Sequence, residues 1–173
     1  MPVLLKTVLI ATAAIAGIYD LRFRRIPNWL NLSAVVLGLA INTFVFAARG
    51  LGISALGMAC ALGIYLPLYL VRGMGAGDVK LMAAIGAIAG PENWLRIFVV
   101  TALLGGLASL LVVALRKRFR ETGGNLLLIV SELLRGRKPA QADARLDVRD
   151  PRSVGMPHGT VVAIGALAFL VFF

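Results

Sequence analysis

The 173-residue chain is 60% hydrophobic, only 15% of its residues are charged, and its mean hydropathy is +0.90. A soluble domain of this size cannot bury that much apolar surface, so the composition excludes an ordinary water-soluble protein. Apolar runs recur near the roughly 20 residues that cross the hydrocarbon of a bilayer. We therefore expect an all-α fold, that of a polytopic helical membrane protein.

The apolar runs predict six transmembrane helices in chain order. They cover residues 3–19, 30–48, 51–71, 79–90, 94–115 and 156–173. The first run resembles a secretory signal peptide, but further membrane segments and a charged stop-transfer flank follow it, so we interpret it as a membrane helix. Cys60, the only cysteine, lies in the third run. It can form no internal disulfide and no cysteine metal site, and we expect it to have a packing role.

The basic residues predict the orientation of these helices. With six spans, and with Lys80 left out because it lies inside a segment, fourteen Lys and Arg residues fall on one side of the membrane and three on the other. The positive-inside rule places the richer side, which holds the 116–153 segment, in the cytoplasm and both termini outside. The charges flank membrane helices, so we expect them to contact anionic lipids of the inner membrane and not nucleic acid.

The basic segment at 116–153 is mixed in character. Its stretch from Asn125 to Leu134 is apolar, too short to span, and bracketed by basic residues, which predicts a helix lying in the membrane interface. Residues 136–153 are polar and contain two prolines, which is typical of a flexible linker. We therefore predict a single membrane-embedded domain, 1–173, with a basic cytoplasmic segment.

The fourth apolar run is unusually short. The thirteen residues from Asp78 to Gly90 extend only about 20 Å as a helix, against a hydrocarbon thickness of about 30 Å. Asp78 would then lie below the headgroup level unless the bilayer thins locally. The loop before it contains Gly73, Gly75 and Gly77, which accept positive φ and let another chain approach closely. We infer a hydrated notch with a carboxylate at its edge.

Two acidic residues lie at the cytoplasmic ends of membrane helices, Asp20 and Asp78. Asp78 could simply cap the helix that follows it, and Asp20 could be a solvated charge that pairs with Arg24 one turn later. A carboxylate within a membrane segment is costly, however, and is usually functional. Lys80 lies about 200° around the helix from Asp78, so we expect it to lie on a different face and to extend towards the cytoplasmic headgroups.

Two sequence blocks carry a family resemblance. IYDLRFRRIPNWL, from Ile18 to Leu30, and GAGDVKLMAAIG, from Gly75 to Gly86, resemble the type IV prepilin peptidases, which are GxGD aspartyl proteases of bacterial membranes. A bare GxGD is a weak motif, but both blocks in this order at helix ends form a specific signal. Elsewhere the resemblance rests on the succession of apolar segments and on the MPHG turn before the last helix.

The resemblance implies a function and a catalytic pair. Asp20 and Asp78 match the family's catalytic aspartates, and the expected activity is removal of the leader peptide from a prepilin on the cytoplasmic side, with no metal or cofactor. Gly73, Gly75 and Gly77 would leave room for the substrate backbone. Larger family members carry an N-terminal domain with paired cysteines and also methylate the pilin. This chain resembles the short branch that serves tight-adherence (Flp) pili, so we expect no methylation.

Two carboxylates close together would share one proton and hold a water between them, which is the arrangement of an aspartyl hydrolase. Two other classes of function stay open. A small transporter or channel subunit would use Asp78 alone as an ion or proton site. A non-catalytic assembly factor would need neither carboxylate. The presenilin and signal peptide peptidase class also combines GxGD with a tyrosine-aspartate pair, but it has more spans and a Pro-Ala-Leu motif that this chain lacks.

Overall fold

The computed structural model describes residues 1–115, 119–134 and 158–172. Within these residues there are five helices: α1 (Val3–Phe23), α2 (Asn28–Leu70), α3 (Ala76–Leu115), α4 (Phe119–Leu134) and α5 (His158–Phe172). The described residues include no strand, which confirms the all-α prediction. Helices α1, α2 and α3 are long and apolar enough to cross a membrane, and α5 is a shorter apolar helix. The predicted linker at 136–153 lies outside the described residues.

Helix α2 folds back on itself at Ala47. This residue has φ 53° and ψ −141°, values that no helical residue adopts. Across the turn, the side-chain amide of Asn42 donates to Ser54 Oγ at 3.2 Å. Residues twelve positions apart in a straight helix would be separated by about 18 Å. The two halves, 28–46 and 48–70, are therefore antiparallel neighbours.

Helix α3 reverses in the same way at Gly90, which has φ 74° and precedes Pro91. Tyr65 demonstrates the reversal, because it lies within electrostatic range of Asp78 and its ring packs 5.9 Å from that of Phe98. Residues 78 and 98 of a straight helix would be about 30 Å apart. The halves 76–89 and 91–115 agree closely with two of the predicted segments. One boundary is corrected: the helix begins at Ala76, so Asp78 lies inside its first turn.

The first half of α3 is the central helix of the bundle. Every residue from Leu81 to Gly90 is buried. This segment is apolar on all sides, as expected of a helix in the centre of a bundle. The side-chain amide of Asn42 reaches the carbonyl oxygens of Ala87 at 3.1 Å and Ile88 at 3.2 Å. Other helices therefore surround the segment that carries Asp78 at its start.

Helix α5 packs antiparallel to α1. A Cβ placed on Gly17 would lie only 3.0 Å from the Cβ of Ala163, and Thr160 contacts Asp20 one turn later in α1. The prediction of a packing role for Cys60 is wrong, because its side chain is exposed on α2. Helix α4 contains the stretch 125–134 that was expected to be helical, and it begins six residues earlier. Its position in the membrane interface stays a prediction.

Candidate active site

Asp20 occupies the last turn of α1 and is only 7% exposed. The helix ends three residues later, where Arg24 adopts a left-handed conformation and its amide donates to the Asp20 carbonyl at 2.9 Å. The Asp20 side chain faces α5. Its Oδ2 accepts hydrogen bonds from the amide of Thr160 at 2.8 Å and from the Thr160 hydroxyl at 3.2 Å. The first turn of α5 thus holds this carboxylate.

Asp78 is half-buried in the first turn of α3. Its carboxylate accepts a hydrogen bond from the backbone amide of Gly75, and a Cβ placed on Gly75 would lie 3.2 Å from Asp78 Oδ2. A residue without a side chain at position 75 therefore allows the loop to pass close to the carboxylate. Asp78 also lies within electrostatic range of Asp20 and of Tyr65. The two aspartates are at the same end of the bundle.

Ile26, in the loop after α1, links the three chain segments that meet here. A Cβ placed on Gly77 would lie 3.8 Å from Ile26 Cδ1, and one placed on Gly159 would lie 2.8 Å from the same atom. That Cβ on Gly159 would also lie 3.1 Å from the Asp20 carboxylate. The N-terminal ends of α3 and α5 therefore converge on one apolar side chain, with Asp20 and Asp78 beside it.

The three glycines expected at the site are not equivalent. Gly75 and Gly77 adjoin Asp78 and Ile26, whereas Gly73 contacts the end of α2, where its amide donates to the Leu68 carbonyl at 2.9 Å. None of the three uses the positive φ that glycine accepts. Arg72 takes the left-handed conformation instead, with φ 63°, as α2 ends. The glycines provide close approach and not an unusual backbone.

Lys80 points away from the site, as expected from its angle on the helix. It is exposed, and its Nζ donates to Asn28 Oδ1 at 2.8 Å. The contact joins the start of α2 to the start of α3. Asn28 directly follows Pro27, whose extended backbone opens α2, so this pair forms the turn into the helix.

Four residues at the site lacked a functional assignment from the sequence: Ile26, Tyr65, Gly159 and Thr160. Thr160 is 140 positions from Asp20 in the chain, and the only signal near it was the MPHG turn. His158 of that turn lies within electrostatic range of Asp20, and its Nε2 is buried with no hydrogen-bond partner in the described part of the chain.

Comparison with known proteins agrees with the motif resemblance. The model of the type IV leader peptidase family matches residues 7–110, which is more than half of the chain and includes both aspartates. The prepilin leader peptidase/N-methyltransferase of Xanthomonas campestris pv. campestris is 30% identical over 115 residues, which cover 63% of this chain and 40% of that protein. The chain therefore matches less than half the length of this relative.

No solved structure matches the chain significantly. The family assignment therefore rests on the sequence match across residues 7–110. This match covers most of α1 and α3 and all of α2. The resemblance drawn from the two sequence blocks is confirmed. The chain belongs to the type IV leader peptidase family.

Proposed function

We propose that this protein is a membrane aspartyl endopeptidase that removes the leader peptide of type IV prepilins. One observation carries the proposal: Asp20 and Asp78 come from separate helices, yet their carboxylates lie within electrostatic range of each other. The family match and the name of the Xanthomonas campestris relative support a prepilin as the substrate. Neither carboxylate forms an ion pair within the described residues that would give it a purely structural explanation.

The pair would act as a general acid and base on one water. Two neighbouring carboxylates do not both ionise readily, so they share a proton. The ionised member removes a proton from the water as its oxygen attacks the peptide carbonyl, and the neutral member donates to the carbonyl oxygen. The carboxylate that took the proton from water then protonates the leaving amine, and the other carboxylate regains a proton from the intermediate. Both carboxylates are then in their starting states, so no metal or cofactor is needed.

The proposed membrane arrangement has six spans in one domain, 1–173. They are residues 3–23, 28–46, 48–70, 76–89, 91–115 and 158–172, since α2 and α3 each reverse once. Arg22, Arg24, Arg25 and Arg72 lie at the end of the bundle that carries the aspartates. The positive-inside rule then places this end at the cytoplasmic face of the inner membrane and both termini outside. Helix α4 and the basic segment would lie against anionic lipids.

The substrate would bind with its apolar helix in the membrane and its leader in the cytoplasm. A protease needs an extended peptide at the cleavage site, and we propose that the glycine loop makes room for such a backbone, with Gly75 and Gly77 next to Asp78 and Gly73 nearer the end of α2. The chain's resemblance to the short, peptidase-only branch of the family favours an Flp-type prepilin as the substrate. These 173 residues contain a single cysteine, Cys60, so they cannot form a cysteine pair, and we propose that they perform the peptidase step without methylation.

The decisive experiment is cleavage of a small Flp-type prepilin by the purified protein in proteoliposomes. Wild type should shorten the precursor, and Asp20→Asn and Asp78→Asn should each reduce the rate at least about 1,000-fold, because the water then lacks either its base or its acid. Glu92→Gln is the matched control, since Glu92 only pairs with Arg96 one turn away, at 2.6 Å. Full cleavage by either well-folded aspartate variant would refute the aspartyl mechanism.

The same reaction tests the absence of methylation. With a methyl donor supplied, mass spectrometry of the new pilin N-terminus should detect no added methyl group. A methylated product would show that these residues perform both steps. If wild type failed to shorten the precursor, the peptidase would be refuted, and the transporter or channel interpretation, in which Asp78 acts alone, would take its place.

A further inference from the structure

Thr160 makes two contacts with one oxygen of Asp20. Its amide and its hydroxyl both reach Oδ2, at 2.8 Å and 3.2 Å. An amide can only donate, so Oδ2 acts as an acceptor. The hydroxyl carries a single hydrogen and has a second acceptor within reach, the Gly17 carbonyl at 3.4 Å, but the carboxylate is nearer and hydrogen bonds to ionised oxygen are stronger. Both donors therefore favour an ionised Asp20.

The helix dipoles do not decide the charge of Asp20. The carboxylate lies at the C-terminal end of α1, which disfavours an anion, and in front of the N-terminal end of α5, which favours one. These two effects oppose each other. A direct hydrogen bond to a charged group is worth several times more than a helix terminus, so the two donors from Thr160 dominate.

Asp78 has less support for a negative charge. Its carboxylate accepts a single backbone bond, from Gly75, and no hydroxyl donates to it in the described part of the chain. Because the two neighbouring acids share one proton, that proton resides on the member with fewer donors. The Oδ1 atom of Asp20 accepts no hydrogen bond from any described residue, which leaves it for a water molecule.

We propose that Thr160 is a positioning residue that keeps Asp20 ionised, so that Asp20 is the base that activates water and Asp78 is the acid. The inference rests on the proposed function. In the attack, the water oxygen bonds to the peptide carbon, its proton passes to Asp20, and the proton of Asp78 passes to the carbonyl oxygen. In the collapse, Asp20 protonates the leaving nitrogen, the C–N bond breaks, and a hydroxyl proton of the diol returns to Asp78.

The test compares Thr160→Val with Thr160→Ser in the prepilin assay across pH. Valine keeps the branched shape and the amide but removes the hydroxyl, so the acid limb of kcat/KM should move to higher pH by about one unit, which lowers kcat roughly tenfold at pH values below that limb. The change should be in kcat and not in KM, because Thr160 does not bind the substrate in this proposal. Serine restores the hydroxyl and should restore both the rate and the acid limb.

Two controls separate this effect from other causes. Thr7→Val makes the same substitution in α1, where the Thr7 hydroxyl reaches only the Val3 carbonyl, and it should leave the profile unchanged. Among the described residues, the titratable groups within electrostatic range of Asp20 are Asp78 from α3 and His158 from α5. His158→Gln should keep the acid limb of wild type, which assigns that limb to the carboxylates.

The outcomes distinguish the inference from the proposed function. Loss of cleavage in Asp20→Asn and Asp78→Asn tests the function itself. Once that is established, an unchanged pH profile in Thr160→Val overturns the positioning role. A shift confined to the alkaline limb would also overturn it, because it would make Asp20 the acid. Failure of Thr160→Ser to recover activity would indicate that the valine variant acts through packing, and this result too contradicts the inference.

Discussion

Gly57 and Gly86 are in backbone contact where the second half of α2 crosses the first half of α3. A Cβ placed on Gly86 would overlap the Gly57 carbonyl oxygen and lie 2.7 Å from its carbon, and one placed on Gly57 would overlap the Gly86 carbonyl oxygen. Small residues at such crossings let membrane helices approach until their backbones touch. This contact holds the central helix, and with it Asp78, against α2.

The contact predicts that Gly86→Ala destabilises the protein. The added methyl group meets backbone atoms that cannot rotate away, so the helices must separate, at a cost of about 1 to 3 kcal/mol. Gly63→Ala is the matched control, since a Cβ there has no neighbour within 4 Å and alanine is the better helix former. Thermal unfolding in detergent should show a lower Tm for Gly86→Ala alone. Equal Tm values would mean that the crossing is looser than described.

Gly159→Ala should reduce activity more than stability. The new methyl group would lie 3.1 Å from the Asp20 carboxylate and 2.8 Å from Ile26 Cδ1, and both are ends of side chains that can move. Displacement of a reacting group by about 1 Å can cost about 100-fold in rate. We expect a loss of this order in prepilin cleavage with a Tm close to that of wild type. Gly106→Ala, with open space around its Cβ, should retain full activity.

Asn42 should be a stability residue without a catalytic role. Its side-chain amide reaches the carbonyls of Gly38, Ala87 and Ile88 and the Ser54 hydroxyl, which joins both halves of α2 to α3. Asn42→Leu leaves these buried acceptors without their donor and should destabilise by about 1 to 2 kcal/mol. Asn93→Leu removes one local bond, to Ala89, and serves as the control. Wild-type stability in Asn42→Leu would contradict the role of this polar contact.

Cysteine labelling should test the proposed topology. In a Cys60→Ser background, a membrane-impermeant maleimide is added to cells whose outer membrane is permeabilised and whose inner membrane is intact. It should label Arg49→Cys and Glu92→Cys, because these sites adjoin the turns at Ala47 and Gly90, which the proposed topology places outside the inner membrane. Arg25→Cys, at the end that carries Asp20, should react only after the inner membrane is permeabilised. Labelling of positions 25 and 49 from the same side would rule out a crossing between them.

Much of the fold could be predicted because lipid leaves the backbone few alternatives. A chain within hydrocarbon must satisfy its own hydrogen bonds, so each apolar run becomes a helix, and charged or proline-containing breaks mark the turns. The reversal at Gly90 and Pro91 follows from this rule. The reversal at Ala47 lies one residue inside a predicted segment, 30–48, since no proline marks it.

The buried faces of the helices could not be predicted from hydropathy. Lipid is as apolar as the protein interior, so an apolar residue on a membrane helix can face either one. Cys60 was assigned to packing for this reason, yet it is exposed. Nor could the sequence show that Arg72, and not one of the glycines after it, adopts positive φ as α2 ends.

The sequence by itself determined the helical membrane character, the family, and which two carboxylates lie at helix ends, because segment length, apolar composition and short motifs are local properties. Only the tertiary structure decided that Thr160 donates twice to Asp20 and that Ile26 lies between the ends of α3 and α5. These contacts join residues far apart in the chain. They depend on how α1, α3 and α5 pack, and no local pattern of residues encodes that packing.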